Sequence, residues 1–176
     1  QFTGESYPDW YARTWLDCSH PAVADTYRKL IEIQRPTYSF CGDNKYTNIV
    51  RYTLQKLYRK DWNSVPEVLR GQGDYNDLTG AMRWWRDLLQ SRRSPWEDAW
   101  MQAWDAKKYV AGNRAEQFER EAILQIEKIM HLNNMATAFC DSVLNYLDEN
   151  WYRAYRQAYQ ALGHSKLALE TEQKLE

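Results

Sequence analysis

Two groupings in this sequence hold residue types that could do chemistry. Cys18-Ser19-His20 sets a thiol two residues from an imidazole, half of a metal or thiol site. A nucleophilic cysteine needs a base held at hydrogen-bond distance, and zinc needs about four ligands. No sequence neighbour of Cys18 supplies such a base. Glu127 and His131 lie four apart, so one helical face could offer two metal ligands. No second pair stands at ligand spacing, and an exposed polar face is the simpler reading. Among seven glycines, neither G-x-x-x-x-G-K-[ST] nor G-x-G-x-x-G occurs, so no phosphate-cradling loop is written here. No catalytic, cofactor-binding or metal-binding residue is expected.

Aromatic residues are the more promising set. Nine tryptophans and thirteen tyrosines help bring the aromatic share to 15%, while glycine and proline are scarce. Few breakers and many bulky side chains suggest long helices held by large anchors. Tyr7, Trp10, Tyr11 and Trp15 cluster near the start, and they are expected to bind a partner protein. Trp96, Trp100 and Trp104 recur at spacing four and could stack bases or dock a partner. Ala99 and Ala103 interleave them, which lets helices approach, so this stripe is read as core.

Charge narrows the class. Twenty-three basic and twenty-four acidic side chains leave a net charge of −1, whereas nucleic-acid binders usually carry a basic excess. The clusters Arg51, Lys56, Arg59, Lys60 and Arg83, Arg86, Arg92, Arg93 have Asp61, Asp74, Asp77 and Asp87 nearby, as solvated faces do. No apolar run approaches the roughly 18 residues of a membrane span. Cys18, Cys41 and Cys140 are odd in number and far apart, which favours free thiols and a reducing compartment. The chain opens Gln1-Phe2-Thr3, consistent with trimming or with removal of a targeting segment.

Helices must position these residues. The patterns predict one over Tyr7 to Asp17 and another from Pro21 that stops before Pro36. A third starts at Asp43 or Asn44, with Val50, Leu54 and Leu57 on one face. "DWNSVPEVLR" follows as an elbow, with Ser64 and Glu67 at capping-box spacing, Pro66 in the first turn and Gly71 past the end. Leu78, Met82, Trp85 and Leu89 form a stripe. Ser94, Pro95 and Glu97 repeat the start signal for a new helix that Gly112 ends. Phe118, Ala122, Ile126 and Ile129 mark the next, up to Asn133-Asn134. Ala136, Phe139, Val143 and Leu147 mark another. Trp151, Tyr155, Ala158 and Leu162 form the last stripe before Gly163, with His164 as a C-terminal cap. The fold class is all-α, one domain over 1–164 followed by a polar tail over 165–176 that frays.

Helix hairpins of about 34 residues stack because one pair cannot bury its own apolar face. "YTNIVRYTLQKLYRKDWNSVPEVLRGQ" resembles a pentatricopeptide unit, and "WYRAYRQAYQALGHSKLALE" is similar to a tetratricopeptide helix. The expected architecture is a short, degenerate array of such hairpins. With "YPDWYARTWLDC" and "ADTYRKLIEIQRPTY", the first half resembles the eighteen-kilodalton pentatricopeptide-like subunits of the euglenozoan mitochondrial ATP synthase. That resemblance implies a structural subunit without an active site or cofactor, docked outside an alpha subunit of the catalytic head in several copies. It implies the mitochondrial matrix side; one fair repeat without a basic excess argues against bound nucleic acid, and no apolar run is long enough for a membrane span. The competing readings are an organellar RNA-binding helical-repeat protein and a secreted or periplasmic helical binding protein, the last favoured by a Cys18–Cys41 bridge.

Overall fold

In the computed structural model, which describes residues 4–38, 43–65, 69 and 77–175, the chain is all-helical and no strand occurs among the described residues. Helix α1 (Tyr7–Trp15) begins where Ser6 Oγ accepts the Asp9 N–H at 3.4 Å and Pro8 occupies the first turn. Helices α2 (Pro21–Tyr38) and α3 (Asp43–Arg59) follow. Helix α4 (Leu78–Lys107) starts on Asp77, whose carboxylate accepts the Gly80 N–H at 2.6 Å. Helix α5 joins three contiguous segments: α-helical Asn113–Phe118, π-helical Glu119–Leu124 and α-helical Gln125–Leu147. Helix α6 (Trp151–Leu175) closes the chain.

Four expected stops do not stop a helix. Helix α2 passes Pro36, α4 runs through Ser94 and Pro95, α5 through Asn133-Asn134, and α6 through Gly163. Ser94 therefore caps nothing. Each breaker costs helix stability, about 3 kcal/mol for an interior proline and 0.5–1 for glycine relative to alanine. At Pro95, burial on both sides of the break offsets that cost. Leu89 and Trp96 are both core residues on either side of Pro95. Asn133 lies buried in α5 and donates Nδ2–H to the Leu89 carbonyl at 3.0 Å, just upstream of the turn that Pro95 interrupts. His164 is then an interior helical residue, not a cap. Residues 165–175 continue α6, with Ala168 and Thr171 buried.

The true ends fall on charged residues. Asp17, Lys60 and Glu149 take left-handed backbone, with φ of 48°, 52° and 58°. At the end of α3, Asp61 N–H bonds the Lys56 carbonyl and Lys60 N–H the Leu57 carbonyl, each at 3.1 Å. Asn150 and Glu149 repeat the pattern after α5, so both ends are Schellman motifs without glycine. Helix α4 ends at Lys107, and Gly112, at φ 57°, immediately precedes α5 rather than closing α4. At the elbow, the Ser64 hydroxyl donates to the Asp61 carboxylate at 2.9 Å and accepts from Lys56 Nζ at 2.5 Å. Its expected capping partner Glu67, with Pro66 and Gly71, lies outside the described residues.

Helices α4 and α5 pair along their length and carry two cores. One gathers α1, α2, the second half of α4 and the start of α5 around Leu16, Val23, Trp96 and Phe118. The other gathers α3, Val65, Leu69, the first half of α4 and the end of α5 around Ile49, Met82, Trp85 and Val143. The Leu78, Met82, Trp85, Leu89 stripe is buried as expected. In α3 the inward face is Tyr46, Ile49 and Thr53, rotated from the Val50, Leu54, Leu57 face, and Leu54 is exposed. Ala122, Ile123 and Leu124, three successive residues of the wide π turn, are all buried. The unequal helices sharing both cores do not by themselves establish a hairpin repeat.

Cys18 and Cys140 are buried free thiols in different cores. Cys41 lies outside the described residues. Burial pushes the Cys140 thiol far above its ordinary range. Native-state alkylation of Cys140 is therefore expected to proceed only at the rate of global unfolding. Labelling as fast as an open thiol would contradict its burial.

Candidate docking surface

Helix α1 lies on α2 through Ala12 and Leu16, both buried, which turns the opposite side of its nine residues outward. Spacings of three and four then stack the aromatic rings in a ladder. Tyr7 sits 5.9 Å from both Trp10 and Tyr11, and Tyr11 stacks on Trp15 at 6.4 Å. The four expected partner-binding residues thus come together as one surface. Tyr7, Trp10 and Trp15 are exposed, the two tryptophans at 39% and 49%.

Tyr11 is the half-buried anchor. Its hydroxyl donates to the Glu121 carboxylate in the π segment, and its ring meets Tyr27 edge-on at 5.0 Å. Tyr27 in turn packs edge-on against Phe118 at 5.9 Å, so the ladder is fastened to the core. Burial, then the Glu121 bond, raises the Tyr11 phenol well above the usual tyrosine range, and burial does the same for Tyr27. Both stay neutral at any physiological pH. The rim is charged: Arg13 pairs with Glu5 at 2.6 Å, and Arg28 bridges Asp9 and Asp25. Arg13 holds the Glu5 carboxyl below its ordinary range, and Ser6 with Arg28 does so for Asp9.

The chemical groupings do not assemble into a reactive site. Cys18 Sγ donates to the Tyr109 carbonyl at 3.2 Å. His20 Nδ1 accepts the Ala22 N–H at 3.2 Å while its ring stacks on Tyr109 at 3.4 Å, so it starts α2 rather than activating a thiol. Glu127 and His131 approach to 3.9 Å, and no group of three metal-ligating side chains converges among the described residues. Burial lowers His131, favouring its neutral form.

A polar cleft of about 370 Å³ lies between α4, α5 and α6, lined among others by Gln90, Asn134, Thr137, Asp141 and His164. Burial raises Asp141 and lowers His164, and Arg93 also lines the cleft. The Thr137 hydroxyl is committed to the Asn133 carbonyl at 2.8 Å. The cleft can hold water or a small polar molecule, and the threonine is not poised as a nucleophile.

The remaining aromatics split. Trp96 is core, as expected, and Trp100 is half-buried against it. Trp104 is 39% exposed, with Lys107 Nζ 5.0 Å from its ring centre, so the stripe leaves the core at its third member. The last stripe is inverted. Trp151, Tyr155 and Leu162 are exposed, Tyr155 at 70%, and the inward face of α6 is Ala154, Ala161 and Ala168. Spacing alone does not reveal this outer face of α6, because large apolar residues at helical spacing mark core and docking faces alike. The alanines at spacing seven were the available signal.

No family model, characterised protein or solved structure matches the chain. No described helix is long and apolar enough to cross a membrane.

Proposed function

We propose that this chain is a non-catalytic structural subunit that docks on the surface of a larger protein through the aromatic ladder of α1. One observation carries the reading: three exposed rings, Tyr7, Trp10 and Trp15, are held in place by a fourth, Tyr11, that is tied to the core. Rings fixed before binding lose little conformational freedom on docking, and tryptophan and tyrosine are the residues most enriched at binding hot spots. The pentatricopeptide-like resemblance of the first half supplies the partner, an alpha subunit of the ATP synthase head on the matrix side of the inner membrane.

Native extracts test this. The chain is expected to migrate with the ATP synthase and to stay with the head when the membrane sector is stripped. Replacing Trp10 and Trp15 by alanine should weaken that association by at least about thirtyfold, the equivalent of one hot-spot residue, with the thermal midpoint nearly unchanged. Migration free of any large assembly would overturn the proposal. Binding to single-stranded RNA with a steep salt slope would promote the RNA-binding alternative.

A further inference from the structure

Helix α6 has a second apolar face that the chain itself does not cover. Tyr152, Tyr155, Tyr159, Leu162, Lys166 and Leu169 recur at spacings of three, four, three, four and three, and all six are exposed. That is the heptad spacing of a helix–helix seam, here about 25 Å long at 1.5 Å per residue. We propose that the Tyr159 to Leu169 part of this face packs against the same part of a second copy, with the two α6 helices antiparallel and the two-fold axis passing near Gly163.

Two features bear on the occupant: the first admits a close helix, and the second selects a second copy over a foreign partner. The first is Gly163 itself, an exposed glycine in the interior of α6. A Cβ built there meets nothing within 4 Å, so no contact inside the chain requires the missing side chain. A bare backbone in the middle of an outer helix lets another helix come close. The second is charge. Arg156 stands seven residues before Gly163 and Glu170 seven after it, both exposed. Antiparallel packing about Gly163 places Arg156 of each copy opposite Glu170 of the other, so one face satisfies itself twice, as a two-fold interface must. Neither side chain forms an ion pair among the described residues; the Arg156 guanidinium only lies 5.9 Å from the Tyr152 ring.

Sedimentation equilibrium of the purified full chain tests the proposal, with circular dichroism to confirm folding of each variant. A concentration-dependent dimer is expected. Arg156→Glu or Glu170→Arg alone puts two like-charge pairs across the axis and should weaken the dimer by about tenfold. The double variant Arg156→Glu with Glu170→Arg restores both pairs and should recover it. Gly163→Leu should raise the thermal midpoint of the monomer, because leucine favours helix, and yet abolish the dimer. A chain that stays monomeric at about 100 μM overturns the proposal, being weaker than a specific interface. So does a dimer indifferent to Gly163→Leu, or one that the double charge swap fails to rescue. These readouts need no partner protein, so their failure leaves docking through α1 standing.

Discussion

Trp85→Ala should be the most destabilising single aromatic deletion in α4, costing about 3–5 kcal/mol. Trp85 is 1% exposed at the centre of the second core, where it meets Trp84 edge-on at 4.7 Å. Its Nε1–H donates to the Leu69 carbonyl at 2.8 Å, a bond that ties the segment after the elbow to α4. The variant therefore opens a cavity and leaves a buried carbonyl without its donor, two losses that add. Trp10→Ala removes a ring of the same size from the outer face of α1, and should cost less than about 1 kcal/mol. Urea titration of the two variants separates them, provided the slope with denaturant stays constant. Similar midpoints for both would show that Trp85 is not part of a packed core.

Ala161→Leu should destabilise the chain by about 1–3 kcal/mol, although it adds apolar surface. Ala161 is buried where α6 lies against α5, in line with Ala154 and Ala168. Three added carbons have no room at a seam built on methyl groups, so α6 must tilt away or the side chain must leave its preferred rotamer. Tyr155→Ala, one turn and a half upstream on the outer face, should change the monomer by no more than about 0.5 kcal/mol. Thermal melts at concentrations low enough to exclude association compare the two. A larger loss from Tyr155→Ala would return the tyrosine to the inside of the molecule and reverse the orientation of α6.

The orientation of α6 marks the boundary between pattern and packing. Spacing alone shows that Tyr155 and Leu162 share a side of a helix, but it cannot say which side meets the protein. Two apolar faces compete on that helix, and α5 accepts the small one because alanines permit the closer approach. The same limit explains Leu54 in α3 and Trp104 in α4, each on an apolar stripe by period and each exposed. A stripe specifies a direction, and only the neighbouring helix decides whether that direction points in.

What the sequence determined by itself was the helical class, the start of α1 at Tyr7, the buried Leu78 to Leu89 stripe, and the aromatic cluster of Tyr7, Trp10, Tyr11 and Trp15. These are local properties, written in the i, i+3 and i+4 spacings that an α-helix imposes on its own side chains. Tertiary structure decided where helices end. Pro36, Pro95, Asn133 and Gly163 each carry a cost of a few kcal/mol or less, and burial of residues on both sides of such a break can exceed it. Asp17, Lys60 and Glu149 carry no stop signal, yet each takes left-handed backbone where the chain must turn back onto the core. Tertiary structure also fastened the ladder: the Glu121 carboxylate that holds Tyr11 is 110 residues away in sequence, beyond the reach of any local pattern.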